Sequence, residues 1–383
     1  MSSNGNNHKH AVTTPRVPPG WSAHRSSRCP ERHYYVHEAS GVRQWEAPCG
    51  TPEPTDAKDA CRLHYNRQAE ERREQRQQSA VLELRRANNR IKRRIIEAAL
   101  DYAKAVVQQT QGSRTCARPI VVLECGCGKG GDLHKYGAWA QRNAQPVDLY
   151  MLDISDASVA ELERRWQSLN ERWPYLRVTA AVGDFCKPEN ADLPSEWPVA
   201  DIVSIQFALH YAFETPVKAR SFGDNLARAL AWHNSLLIGT LVDYEALANR
   251  LISGQQSEGA LVFGNDIFSV AMPLADVQRL CHAAANSRLS TYGIGYNMTL
   301  DGCVDGCREF VIERSTLEQL LAAIGLTHNA WLPFEAFDEQ RRLSADEVEA
   351  QNLYAAFLFR RPTDNEIDVG GVCETHRQFF TVD

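Results

Sequence analysis

Apolar positions follow one period up to Val107 and another beyond Pro119. From Ser79 to Val107, Leu84, Ala87, Ile91, Ile95, Ala98, Tyr102 and Val106 recur every three or four residues. That spacing lays one apolar stripe along a helix. Short, near-continuous apolar runs follow: PIVVLEC (119–125), VDLYMLDI (147–154), RVTAAVGD (177–184), DIVSIQFA (201–208) and SLLIGTL (235–241). Helical patterns separate several of them. Strands buried on both faces read as unbroken apolar runs, and crossover helices space them apart, so the pattern predicts a doubly wound α/β sheet. Residues 243–300 are less regular and predict an inserted lobe over the sheet. NLYAAFLFRR (352–361) predicts a late antiparallel strand.

The amino-terminal part reads differently. Residues 1–16 are polar and predict disorder. Residues 17–48 form a compact unit bounded by Trp21 and Pro48, and residues 49–63, which begin CGTPEPTDAKD, predict a linker. Residues 64–361 carry the α/β domain, and residues 362–383 are a tail. No apolar stretch is long enough to span a membrane, and the polar start lacks a secretory core. A net charge of −6 gives no global pull toward nucleic acid. Positive charge is local instead, in ERREQRQQSAVLELRRANNRIKRR (71–94), which suits a solvated helix face, a nuclear signal or an RNA contact. The 11 cysteines are scattered and form no four-ligand zinc pattern. They read as reduced thiols packed as small apolar groups.

The first predicted strand runs into Glu124-Cys125-Gly126-Cys127-Gly128-Lys129-Gly130-Gly131-Asp132. Glycines let backbone turn tightly and approach a ligand. The loop lacks the Gly-Lys-Ser/Thr ending of a phosphate-binding P-loop. The second strand ends in Asp153, where an acid accepts hydrogen bonds from two ribose hydroxyls, and the third ends in Asp184, within reach of an adenine edge. Each acid alone is equally a helix cap or a turn residue. Suitable groups at three consecutive strand ends point to a nucleoside-bearing cofactor. The order acid-x-Gly-x-Gly, without a third spaced glycine, suits S-adenosylmethionine rather than a dinucleotide.

These residues resemble the eukaryotic mRNA cap guanine-N7 methyltransferase family. LECGCGKGGDLHKY (123–136) resembles its glycine loop, and DISDASVAELERRW (153–166) the segment after its second strand. SIQFALHYAFET (204–215) resembles its Gln-Phe-x-x-His-Tyr motif. FGNDIFSV (263–270) and YNMTLDGCVDGCREFVI (296–312) resemble later signatures. HYN (64–66) and LRRANNRIK (84–92) resemble the helix before the core. The resemblance implies a Rossmann-like class I methyltransferase sheet using S-adenosyl-L-methionine. It implies cofactor contacts at Lys92, Gly126, Asp153, Asp184, Gln206 and Tyr211. It implies cap contacts at Asn88, Asn89, Lys129, Lys135, Arg165, His210, Glu309 and Tyr354, with capped RNA as substrate and the nucleus as location. Glu124 stands where the family has Asp, and Arg90 where it has an aromatic.

The chemistry needs no acid–base pair. Guanine N7 carries a lone pair and no proton, and a sulfonium methyl is already activated, so alignment and electrostatic support suffice. His210, Tyr211 and Glu309 are the residues nearest the guanine on this reading. Glu309 faces the N1 and N2 donors, while Lys129, Lys135 and Arg165 meet the cap phosphates. The plain alternatives are solvated charges for the basic residues and a core histidine for His210.

Pro18-Pro19-Gly20-Trp21, Tyr34-Tyr35 and Trp45-Glu46-Ala47-Pro48 resemble a WW domain, a small all-β module. The resemblance implies a proline slot made by Tyr34 and Trp45, and Pro-rich or phospho-Ser-Pro ligands such as the RNA polymerase II tail. The first loop, Arg25-Ser26-Ser27-Arg28, suits a phosphate. Two other readings compete: methylation of cap-adjacent adenosine, and a non-catalytic adaptor. Gln206-Phe207-Ala208-Leu209 lacks the Asn/Asp-Pro-Pro-aromatic pattern of exocyclic-amine enzymes, and retention of Asp153, Gln206, Tyr211 and Glu309 speaks against an inert adaptor.

Overall fold

The computed structural model describes residues 21–25, 33–37, 43–44, 62–66, 81–111, 118–187, 199–257, 259–285 and 291–363. The expected disorder of residues 1–16, Trp45, Pro48, residues 49–61 of the linker, residues 71–80 of the basic run and the tail from residue 364 lie outside them. So do the side chains of Tyr34 and Arg25. The chain divides into two units, Met1–Ala60 and Cys61–Asp383. In the first, β1 (Trp21–Arg25), β2 (His33–His37) and β3 (Arg43–Gln44) form an antiparallel sheet in the order β1-β2-β3. Trp21 pairs with His37, and Tyr35 with Gln44.

The second unit opens with a helical turn at residues 62–66 and the long helix α1 (Leu82–Gln111). The predicted stripe is buried over its first half, where Leu84, Ala87, Ile91 and Ile95 are almost fully enclosed; in the second half the buried positions are Ala99, Ala103 and Val107, and the predicted Ala98, Tyr102 and Val106 are half-buried. The central parallel strands are β4 (Ile120–Cys125), β5 (Val147–Asp153), β6 (Leu176–Val182), β7 (Ile202–Gln206) and β8 (Leu236–Val242). Helices α2 (Leu133–Asn143), α3 (Asp156–Gln167) and α4 (Pro216–Ala229) lie between them in sequence. The antiparallel strand β15 (Tyr354–Arg360) pairs with β8 as expected. Beyond it lies β14 (Thr327–Pro333), so the sheet order is β14-β15-β8-β7-β4-β5-β6. Alternate residues serve opposite faces: Ile202 and Leu236 pack in one apolar cluster, and Val203 and Leu237 in the other.

Three expectations need correction. The third strand stops at Val182, two residues short of Asp184. There the Gly183 N–H bonds the Asp153 carbonyl, and the Asp184 carboxylate turns the chain by accepting the Cys186 N–H at 2.9 Å. Sequence reasoning missed β14, because THNAWLP is an edge strand with only Ala330 buried, and an edge strand has no continuous apolar run. Residues 243–300 are regular, and their lobe continues to Phe310. After α5 (Tyr244–Ile252), the strands β9 (Gln255–Ser257), β10 (Ala260–Gly264), β11 (Phe268–Pro273), β12 (Gly295–Leu300) and β13 (Val304–Phe310) form an antiparallel sheet. One face is covered and the other is wet, so β11 alternates buried and half-buried positions. That alternation hides a strand from a search for apolar runs.

Candidate active site

The cleft lies where β4, β5 and β7 end, the place at which open α/β sheets bind ligands. At the first end, Gly126 takes φ +71°, and a Cβ there would stand 2.5 Å from that of Ala208. Glycine is therefore required by both conformation and space. Gly128 also has a positive φ, but a Cβ on it would meet nothing within 4 Å, so open space faces the loop at this point. Asp153, at the second end, sits just behind. Its Oδ2 accepts the Gly128 N–H at 2.7 Å and its Oδ1 the Ser155 N–H at 2.9 Å. Burial pushes this carboxyl up from the usual range, and the two backbone donors oppose the shift. At the third end, the Gln206 amide donates to Ser204 Oγ at 3.0 Å and its carbonyl accepts from Thr240 Oγ1 at 3.2 Å. Such fixing by neighbours holds the side chain in one orientation.

The cleft has a volume of about 540 Å³, ample for a nucleoside-sized ligand. Asn89, Lys92, Gly126, Lys129, Arg165 and Gln206 line it, all nominated from sequence. Asp132, Glu124 and Tyr65 line it too and were not nominated. Asp132 is the hub of a buried charge cluster. Lys92 Nζ reaches its Oδ2 at 2.9 Å, and Lys135 Nζ bonds its Oδ1. Burial opposes ionisation of Asp132, but the two ammonium groups outweigh it and pull the carboxyl down to about 2. Lys135 is enclosed and bonds Asn89 Oδ1 at 2.9 Å, and burial lowers its pKa. Glu124 is fully buried. Burial and then the charge of Asp132 push it up to about 8. Asn88 is turned aside from this cluster and accepts from the Gln351 amide at 3.0 Å. Arg165 is braced by Glu161 at 2.8 Å and by the Lys129 carbonyl at 2.9 Å.

A second group gathers around Phe207, whose φ of +56° is unusual for a bulky residue. Its N–H bonds Thr240 on β8, which holds the strained turn. Tyr354 packs edge-on to its ring at 5.1 Å, and Lys92 Nζ lies 5.9 Å from the ring centre. The following 3-10 turn, Leu209–Phe213, carries His210 and Tyr211, whose rings meet at 4.1 Å. Glu309 on β13 is buried, with its Oε1 3.9 Å from His210 Nε2. Burial lowers the His210 pKa, against the pull of Glu309, so the imidazole stays neutral. Its Nε2 is buried without a hydrogen-bond partner, which marks a polar atom placed for something else. Tyr296 on β12 is cross-strand to Glu309 and donates its hydroxyl to Oε2 at 2.8 Å. The period of two in YNMTL is the sequence signal for Tyr296, but only the hairpin register says which residue it faces.

The sequence profile of the mRNA (guanine-N(7))-methyltransferase domain matches residues 51–341. The chain belongs to this family. Proteins named mRNA cap guanine-N(7) methyltransferase resemble it across most of its length. That of Candida glabrata is 33% identical over 74% of this chain, that of Schizosaccharomyces pombe 30% over 80%, and that of Saccharomyces cerevisiae 34% over 72%. The matched regions span 62%, 83% and 58% of those three relatives. Of the residues expected to hold the cofactor, Lys92, Gly126 and Gln206 line the cleft, and of those expected to hold the cap, Asn89, Lys129 and Arg165 do; Asp153, Asp184, Tyr211, Asn88, Lys135, His210, Glu309 and Tyr354 are not among its lining residues. Among the described residues no His, Cys, Asp and Glu cluster could hold a metal ion, and no helix is long and apolar enough to cross a membrane.

Proposed function

We propose that this protein transfers the methyl group of S-adenosylmethionine to N7 of the guanine in an mRNA 5′ cap. The observation that carries the reading is a juxtaposition. A glycine turn backed by Asp153 lines the cleft together with Lys129, Arg165 and Gln206, and in the turn that follows Phe207 an imidazole with an unpartnered nitrogen stands beside the buried Glu309 carboxylate. The cofactor supplies an activated methyl on a sulfonium. The open space over Gly128 and the Asp153 carboxylate fit its ribose, with Asp153 accepting from both hydroxyls. Lys92 and Gln206 hold the rest of it. Lys129 and Arg165 meet the cap triphosphate, where charge-assisted hydrogen bonds are strongest. Glu309 accepts from the N1 and N2 donors of guanine while Tyr296 steadies its other oxygen. His210 and Tyr354 pack against the base. Because N7 is a nucleophile as it stands, these residues act by alignment.

Incubation of the full chain with labelled S-adenosylmethionine and GpppG-capped RNA, followed by nucleoside digestion, tests this. Label in 7-methylguanosine is the expected result. Label in methyladenosine, or none with a folded protein, overturns it.

We also infer that residues 17–48 are a WW module that recruits the enzyme, in the nucleus, to phospho-Ser-Pro segments such as the RNA polymerase II tail. The order β1-β2-β3 in three short antiparallel strands supports the module. Tyr34 and Trp45 form its proline slot, and Arg25 and Arg28 meet the phosphate. Trp45→Ala should abolish binding of a phosphorylated tail peptide in fluorescence polarisation and leave methylation of free capped RNA unchanged. Equal binding of phosphorylated and unmodified peptides rejects the phosphate role.

A further inference from the structure

Asn225 lies on α4 and is not among the residues that line the cleft, and the reaction as derived above gives it no task. It is nevertheless a buried polar side chain with specific partners. Its amide nitrogen donates twice to the turn that follows β6: to the Phe185 carbonyl at 2.9 Å and to the Lys187 carbonyl at 3.0 Å. Its Oδ1 accepts from the Arg228 guanidinium, one helical turn further on. Both amide protons are therefore committed to one short turn, 40 and 38 residues back in the chain. Phe222 lies three residues before Asn225, on the same helix face, and packs its ring edge-on to that of Phe185 at 5.9 Å. Helix α4 thus grips this turn by a ring and by an amide.

The turn so held begins with Asp184. Two bonds close it from within: the Asp184 carboxylate accepts the Cys186 N–H, and the Asp184 carbonyl accepts the Lys187 N–H at 3.1 Å. Such bonds fix the shape of a turn but not where it stands. Its place comes from outside it. The Gly183 N–H ties its start to the Asp153 carbonyl, and Asn225 ties the far side to α4. A Cβ on Gly126 would stand 4.0 Å from the Phe185 ring, so the turn borders the glycine loop as well as the end of β5. Strands β5 and β6 are neighbours in the sheet, which puts Asp184 next to Asp153 along the row of strand ends.

We propose that Asn225 is a positioning residue for recognition of the cofactor's base: it clamps the Asp184 turn from behind and so sets how strictly the site demands the 6-amino group of adenine. This rests on the reading of Asp184 as the acid that meets the adenine edge. A carboxylate accepts from a 6-amino group. Hypoxanthine presents a 6-oxo group instead, which has no proton to give and repels the carboxylate. A site built to hydrogen-bond one group rejects the analogue lacking it only while its acceptor cannot move aside to relieve the mismatch. Two carbonyls held by one buried amide supply that rigidity. Leucine at this position is close in size and keeps the packing, but it has no donor for either carbonyl.

The test uses the full chain with no RNA present and two probes, S-adenosylhomocysteine and its hypoxanthine analogue S-inosylhomocysteine, each followed by calorimetric titration. One hydrogen bond to a charged group should give the wild type a preference of roughly ten- to a hundredfold for the adenine probe. Asn225→Leu should cut that preference roughly fivefold, and Arg228→Ala, which only unpins the amide, roughly threefold. In steady state, KM for S-adenosylmethionine should rise while kcat at saturation and KM for capped RNA hold steady. Urea midpoints are taken alongside, and if Asn225→Leu does not fold, Arg228→Ala decides alone. Equal loss of affinity for both probes, with the preference intact, would mean that the amide only supports the fold, and overturns the proposal. Asp184→Ala serves as the reference and should abolish the preference. If it does so and both clamp variants keep the wild-type preference, the clamp is refuted and the adenine reading stands. If Asp184→Ala keeps the preference, the underlying reading fails and the clamp with it.

Discussion

At the ends of β4 and β5, polar side chains are satisfied by backbone. Asp153 receives two N–H groups, one of them from Gly128 in the glycine loop, and the Gly126 and Cys127 N–H groups bond the Leu152 carbonyl. In the lobe the carboxylate has no such support. Glu309 is held by a single tyrosine hydroxyl and stands 3.9 Å from a neutral histidine whose Nε2 is unsatisfied. Asp153 is satisfied before any ligand arrives, although Glu124 Oε2 on β4 is buried without a hydrogen-bond partner. The second leaves a buried acceptor and a buried ring nitrogen waiting, at a free-energy cost that a well-placed ligand removes. A site whose donors are backbone tolerates little change in main-chain shape. A site whose polar atoms are side chains from distant segments depends on each of them singly.

The sharpest way to break this contrast is at Glu309. Replacement by alanine should lower kcat/KM for capped RNA about a hundredfold, since loss of an orienting contact costs on that order. Binding of S-adenosylhomocysteine, measured by titration, should stay within twofold. A parallel loss of cofactor affinity would mean that the two regions are one.

Gly126→Ala is the reciprocal perturbation. A Cβ 2.5 Å from Ala208, at φ +71°, forces the loop to move. Overpacking of this kind costs about 1–3 kcal/mol. Cofactor binding should weaken about ten- to hundredfold, while Glu309 and Tyr296 keep their hydrogen bond. Urea denaturation alongside the titration separates misfolding from a local effect.

Tyr296→Phe sharpens the lobe side, because it removes only a hydroxyl. A hydrogen bond to a charged group is worth roughly 1.5–3 kcal/mol. Cap methylation should fall roughly tenfold or somewhat more, with the cofactor KM unchanged. Activity at the wild-type level would show that Glu309 is aimed by packing alone.

The smallest effect concerns Glu124, where the two kinds of burial meet. Its carboxyl stays protonated in the folded chain up to about pH 8, against an ordinary value of 4.5. The folded state then holds a proton that the unfolded state has lost between those values. The stability this group contributes is complete below pH 4.5 and falls as pH rises toward 8. Glu124→Gln has no proton to lose. Its urea midpoint should therefore decline less between pH 6 and 8 than that of wild type, with little difference near pH 5. Identical slopes would show that Glu124 is ionised in the fold.

The sequence by itself determined the parallel strands that frame the cleft. Five apolar runs located the parallel strands within two residues or so at each end. The glycine loop and Asp153 were legible because strand ends in a parallel sheet all face one way, so motif order along the chain is also order in space, whereas Gln206 came from the resemblance. The resemblance located Glu309 and His210, but not what holds them. That Tyr296 faces Glu309 is a matter of hairpin register, and register depends on a bulge near Met298 that no local pattern announces. That Lys92 and Lys135 share Asp132, and that Asn88 turns to Gln351, follows from where α1 packs. Tertiary structure also decided the place of 62–66, whose contacts at Asp156 and Tyr211 lie 90 and 146 residues away. Periodicity encodes which face of an element is buried. It carries no information about which distant side chain completes a polar pair, because that pairing is made only when the elements close on one another.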